Sequence, residues 1–339
     1  MLLVPMPRAH LSSGVAVADV FSADTYTGNG STQTITNGIN LAGNGGLVWS
    51  KKRSGSGNFN LIDTIRGNGG SGATQASKVL ASDTAAAASS GVGTGGPSDL
   101  TAFNSNGYSI GPDYWANANG STATFVSWTF RKAAKFFDMV TYTGTGSAPR
   151  NISHSLASSP GFIVIKRTDS TGDWWSWHTS IANKNVYLNY ADGADSGTNP
   201  MISAVSSTNF TLATNQNAVM NINSATYVAY LFAHEPTGVI QCDTYTGNGS
   251  ATGPTVTLGW QPQFLMIKRT DSTGGWYIYD SARSTSNPRI NKLLANSGAA
   301  EDTADENVDF NATSFQLKST DAGINASAGT YIYMAIKAE

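Results

Sequence analysis

Apolar and polar positions follow one order along this chain and run through it three times. A short strand-like stretch ends in Tyr26-Thr27-Gly28-Asn29-Gly30-Ser31, which returns as Tyr142-Thr143-Gly144-Thr145-Gly146-Ser147 and as Tyr245-Thr246-Gly247-Asn248-Gly249-Ser250. An apolar run closing in a basic residue follows each time: Leu47-Val48-Trp49-Ser50-Lys51, Phe162-Ile163-Val164-Ile165-Lys166 and Phe264-Leu265-Met266-Ile267-Lys268. Such a run, too short for a helix and without alternation, predicts a central strand covered on both faces. Eight residues beyond each Lys stand Phe59, Trp174 and Trp276, and twelve beyond stand Asp63, His178 and Asp280, with no gap in the register.

The stretch from Lys166 to Trp174, repeated from Lys268 to Trp276, reads as strand, polar turn, strand, a hairpin unlike a phosphate-binding loop. Farther on, Phe103, Val205 and Phe310 open another shared segment, and the units close on Thr124–Phe130, Thr226–Phe232 and Thr330–Ile336. Helical periodicity is confined to a weak Ala-rich stretch, Ala85–Ala88. The expectation is an all-β fold of three tandem antiparallel β-sandwiches of jelly-roll or lectin-like type, at 21–137, 138–240 and 241–339, behind an extended N-terminal arm, 1–20. Units of about 100 residues are long enough to bury their own cores, so separate sandwiches are expected. Within the arm, Val15–Val20 alternates and predicts an edge strand that docks on a sister subunit or on the first sandwich.

Composition narrows the class. With 36 Gly and 12% charged residues among 339, the chain suits a loop-rich β protein. A net charge of -2 gives no long-range attraction to nucleic acid or an anionic membrane. The lone Cys242 excludes an intrachain disulfide framework and a Cys-based zinc site. Met1–Met6 is apolar but too short for a secretory core or a bilayer span.

Catalytic chemistry is weakly represented. A glycosidase needs two carboxylates opposed across a scissile bond. Glu235 and Glu339 sit at unit ends, Glu301 and Glu306 lie in an acidic loop of the third unit, and Asp63 and Asp280 belong to different units. Arg66 and Arg283 follow those two Asp residues by three positions, so structural ion pairs are expected. His178 occupies the Asp63/Asp280 position, and His10, His154 and His234 share no metal-ligand spacing. No cofactor or metal is implied, and the acidic loop at 302–309 lacks the EF-hand pattern.

Aromatic residues are the positive signal for binding. Trp174, Trp175 and Trp177 share one strand, with Trp276, Tyr277 and Tyr279 in the same positions of the third unit. Alternation sets Trp174 on one face and Trp175 and Trp177 on the other. One set belongs to the core; the other is either an exposed platform on which a sugar ring stacks or buried as well. Trp175, Trp177, Tyr277 and Tyr279 are thus candidate glycan-binding residues, joined by Trp115 in the loop Pro112-Asp113-Tyr114-Trp115.

The turn motif, the strand ending in Lys-Arg-Thr-Asp-Ser-Thr-Gly and the following Trp-x-x-Tyr-Asp together resemble a repeat domain of virion proteins of tailed bacteriophages, especially of marine bacteria. The resemblance covers nearly all of 21–339, with the first unit departing through Lys51–Gly57 and its long loop at 67–100. It implies a non-enzymatic, homo-oligomeric structural protein on the virion surface, assembled in the host cytoplasm, such as a tail fibre or appendage that attaches to host-surface glycan. Its partners would be other virion proteins and sister subunits, met through the arm and the first unit, with no nucleic acid and no membrane insertion. A head decoration protein is the alternative, and a secreted glycan-active enzyme with lectin modules a further one.

Overall fold

A computed structural model describes residues 15–68, 78–88, 100–112, 118–197, 200–214, 219–305 and 307–339. Trp115 and Glu306 lie outside the described residues. The first segment contains β1 (Phe21–Thr27), β2 (Gln33–Thr36), β3 (Gly46–Lys52), β4 (Asn60–Asp63), β5 (Leu100–Asn104), β6 (Gly107–Ile110) and β7 (Thr124–Arg131). The second has β8 (Phe137–Thr143), β9 (Arg150–Ser153), β10 (Pro160–Arg167), β11 (Trp174–His178), β12 (Val186–Tyr187), β13 (Ile202–Val205), β14 (Asn209–Leu212) and β15 (Thr226–Ala233). The third has β16 (Ile240–Thr246), β17 (Thr255–Thr257), β18 (Pro262–Arg269), β19 (Trp276–Asp280), β20 (Leu293–Leu294), β21 (Val308–Asn311), β22 (Ser314–Leu317) and β23 (Thr330–Lys337). The fold is all-β, and its paired strands are antiparallel.

Each segment forms a larger and a smaller sheet. The larger sheets run β1-β7-β3-β4, β8-β15-β10-β11-β12 and β16-β23-β18-β19-β20, and the smaller ones β2-β6-β5, β9-β14-β13 and β17-β22-β21. In the first segment an isolated bridge, Leu61↔Leu80, stands where the others have their fifth strand. The long apolar runs form the central strands β3, β10 and β18, as their lack of alternation requires.

The turn motif has a physical reason for almost every letter. A Cβ on Gly28, Gly144 or Gly247 would overlap the carbonyl oxygen of Gly120, Ile222 or Ala326. Gly30, Gly146 and Gly249 have φ of 70°, 68° and 68°, the left-handed region where glycine alone is unstrained. Tyr26, Tyr142 and Tyr245 stack on Phe125, Tyr227 and Tyr331 and donate their hydroxyls to the carbonyls of Ala118, Met220 and Ile324.

The cores are not separate. One cluster draws on all three segments, including Phe21, Trp128, Phe162, Phe232, Phe264 and Trp276. Phe264 lies 5.6, 5.9 and 6.2 Å from Phe21, Trp128 and Phe130 of the first segment, and Phe162 lies 5.7 Å from Trp276. Every larger sheet therefore buries one face in a common hub and the other against its own smaller sheet. In β18 and β19, Phe264, Met266, Trp276 and Ile278 face the hub while Leu265, Ile267, Tyr277 and Tyr279 face the small sheet. An apolar face left over from a three-stranded partner sheet is a strong drive to associate, about 1.5–3 kcal/mol for each large side chain buried.

Two local expectations differ. Val15–Val20 adds no edge strand: Val17–Val20 forms one helical turn, α1, whose Val17 and Val20 join the common core. In an extended strand Val17 and Val20 would point to opposite faces, whereas one helical turn sets both on the face toward that hub. Ala85–Ala88 is not helical, because its backbone is engaged elsewhere: Ala85 O accepts from Gly172 N–H, and Ala88 N–H donates to Thr168 O. Short turns α2 (Leu41–Asn44) and α3 (Ala322–Asn325) and a 3-10 turn at Thr179–Ile181 complete the helical content among the described residues.

Candidate functional site

The residues with catalytic potential hold the segments together. Asp63 and Asp280 are fully buried and pair with Arg66 and Arg283, each at 2.6 Å, as their spacing predicts. A neighbouring segment supplies a further donor in each case: Tyr230 OH reaches Asp63 at 2.7 Å, and Trp128 Nε1 reaches Asp280 at 2.9 Å. Tyr230 and Trp128 are the same position of the closing strand. The third segment has Met334 there, which cannot donate, and the residue facing that joint is His178 in place of Asp. His178 Nδ1 accepts from Ser180 N–H at 3.2 Å, so Nε2 carries the proton and donates to Tyr333 O at 3.1 Å. Complete burial lowers its pKa to about 4, keeping the ring neutral. The joints thus run from first to second, second to third and third to first, closing a ring.

A second cyclic set runs the other way round. Lys51, Lys166 and Lys268 have no exposed surface. Their Nζ atoms donate within the hairpin to Gly57, Gly172 and Gly274 O at 2.5, 2.7 and 2.7 Å. Each also donates to a loop of the neighbouring segment, at Gly298, Ala85 and Ala191 O, at 3.1 Å in every case. Burial lowers all three pKa values to about 8. At the joint between third and first segments Arg53 adds a bidentate pair to Glu301, at 2.9 and 2.8 Å, and Glu301 also meets Arg283 at 3.2 Å.

The aromatic candidates are placed as follows. Trp177, Tyr277 and Tyr279 are buried at 3, 8 and 0% exposure between large and small sheets, so they form no exposed platform. Alternation assigns only one face to the core; here the hub covers the face carrying Trp174, and the small sheet covers the other. Trp175 is half-buried, lies 4.7 Å from Tyr187 with the rings tilted by 57° and lines a pocket of about 270 Å³ with Arg167, Asp173 and Tyr227. A wider cleft of about 560 Å³, between first and second segments, is bordered by Arg66, Lys78, Thr143 and Asp169. Among the described residues no group of three or more His, Cys, Asp or Glu is placed to hold a metal ion, and no helix is long and apolar enough to cross a membrane.

Sequence reasoning missed the buried asparagines that receive the turn motif. Asn119, Asn221 and Asn325, fully buried, accept from the backbone N–H of Asn29, Thr145 and Asn248 and donate to the carbonyls of Ser31, Ser147 and Ser250. Their signal was an Asn five residues before the Thr that opens each closing strand.

The family model of a domain of unknown function, DUF7483, matches residues 16–339, and the chain belongs to that family. No curated protein and no solved structure matches it.

Proposed function

We propose that the chain is a non-enzymatic structural protein of a bacteriophage virion, carried as a tail fibre or surface appendage and acting in attachment to the host surface. The observation that carries this reading is the ring: equivalent contacts link each segment to the next and the last to the first. Asp63, Asp280, His178 and Glu301, which could serve acid–base chemistry, are committed to those joints with their partners already in place, which favours a scaffold over a catalytic cleft. A ring of three like segments in one chain is geometrically matched to a threefold partner, and this favours a second reading, a head decoration protein seated on a threefold position of the capsid. The partners would be other virion proteins, and sister subunits reached through residues 1–14 and the loops of the first segment.

Imaging of particles carrying a tagged copy tests both. Density for the tag on the tail supports the appendage reading, density on the head the decoration reading, and its absence from particles would overturn both. A hydrolysis assay on polysaccharides addresses the enzyme alternative, where sustained turnover would remove the non-catalytic claim.

A further inference from the structure

The second and third segments offer an internal comparison at one place between the two sheets. In the third segment Tyr277 is covered by α3: a Cβ on Gly323 would overlap the Tyr277 hydroxyl, so the turn sits directly on the ring. Arg269 fastens that turn through Nη1 to Ala322 O at 3.1 Å. In the second segment the matching residues are Trp175, Val219 and Arg167, and there a pocket of about 270 Å³ stands open. Its wall combines the half-buried indole of Trp175 with Arg167, Thr171 and Asp173, backed by Val219 and Met220. Aromatic surface continues outward, with Tyr187 4.7 Å from Trp175 and Tyr190, 42% exposed, 5.7 Å from Tyr187.

We infer that this pocket is a saccharide-binding site for a neutral sugar ring. A flat indole beside hydrogen-bonding side chains suits a ring with one apolar face and a rim of hydroxyls. Arg167 is already paired with Asp169 at 2.9 and 3.2 Å, so its guanidinium is not an uncommitted cation for the carboxylate of an acidic sugar. Asp173 is held in place by Asn189 Nδ2 at 3.0 Å, which fixes one carboxylate oxygen as a preformed acceptor site. The third segment, its counterpart sealed by α3, carries no such site.

The inference deepens the attachment reading and rests on it for its biological role, but the two fail separately, since particle imaging decides one and sugar binding the other. Saturation-transfer NMR on the full chain, with glucose, galactose, mannose and N-acetylglucosamine at millimolar concentration and glucuronate as the acidic counterpart, is the test. At least one neutral sugar is expected to bind, with glucuronate weaker. Trp175→Ala should weaken binding at least about tenfold. Thr171→Trp, at an exposed position on the rim, should block the pocket without touching the core. Binding unchanged in Thr171→Trp with an unchanged melting curve, binding of glucuronate alone, or no transfer to any neutral sugar would each overturn the assignment.

Discussion

Acid should loosen one joint of the ring through a single residue. His178 is completely buried, and its pKa falls from 6.5 to about 4 because charging the ring would cost its desolvation. In the unfolded chain the same imidazole takes up a proton as pH drops below about 6.5, while the folded one stays neutral to about 4. The unfolded state therefore binds more protons across this window, and stability present above pH 6.5 is lost on the way to pH 4. The difference amounts to about 3 kcal/mol, since each tenfold change in proton affinity is worth about 1.4 kcal/mol. His178→Asn isolates it, since an amide can accept from Ser180 N–H and donate to Tyr333 O without titrating. Urea unfolding of both proteins at pH 7 and pH 4.5 gives the readout. The variant starts lower, for the smaller side chain leaves a cavity, but its loss on acidification should be smaller than that of the parent by roughly 2–3 kcal/mol. Equal acid losses would show that His178 is not the group that titrates. His178→Asp should be worse than Asn at neutral pH, because it turns a carboxylate toward the Tyr333 carbonyl.

Other perturbations follow from the same joints. Asp280→Ala takes from the buried Arg283 its shortest ion pair, leaving it Glu301 and the Ile278 carbonyl, and takes from Trp128 Nε1 its acceptor, so it should cost about 3 kcal/mol by calorimetry, more than a surface ion pair. Asn325→Ala leaves Asn248 N–H and the carbonyls of Ser250 and Ser319 without their partner, for a loss on the order of 3 kcal/mol in urea. Deleting residues 1–14 should prevent incorporation into particles, whereas deleting 1–20 also removes Val17 and Val20 from the core and should cost about 3 kcal/mol of stability as well.

What the sequence made legible was whatever recurs at fixed spacing. Tyr-Thr-Gly-x-Gly, the apolar central strands and the Asp–Arg pairs could be placed because each is a local device whose reason lies within a few residues. The hub could not be placed in this way. An apolar strand face says that it is covered, not what covers it, and Trp174 and Trp177 look equally buried whether the neighbour is a small sheet or another segment. Within its own stretch of sequence, nothing explains why His178 stands where the other units have Asp63 and Asp280. Its cause lies far along the chain, at Met334, where the donor supplied by Trp128 and Tyr230 is missing. Trp175 stays a candidate because it lines an open pocket with Val219 and Met220, whereas α3 closes over Tyr277.

The three joints are alike in their contacts but not in their covalent linkage, and this difference fixes where the ring should be weakest. Arg131 to Phe137 and Ala233 to Ile240 connect first to second and second to third segments, so a lost contact there leaves the partners tethered at high effective concentration. The first and third segments meet without such a short link. At that joint the Thr found at 168 and 270 is replaced by Arg53, whose fork holds Glu301 at side-chain exposures of 20 and 9%. The hairpin pair Arg167–Asp169, by contrast, lies within one segment at 24 and 37%. Solvent screening leaves the hairpin pair a contribution of about 0–0.5 kcal/mol, while the better-buried bidentate pair across the joint should contribute about 1–2 kcal/mol. Arg53→Ala should accordingly lower the urea midpoint more than Arg167→Ala and raise hydrogen exchange at the backbone contacts Glu301 N–H to Arg53 O and Gly57 N–H to Gly298 O. Equal effects of the two substitutions, with no added exchange at those amides, would mean that the packing of Phe264 against Phe21, Trp128 and Phe130 closes the ring without help from the ion pair.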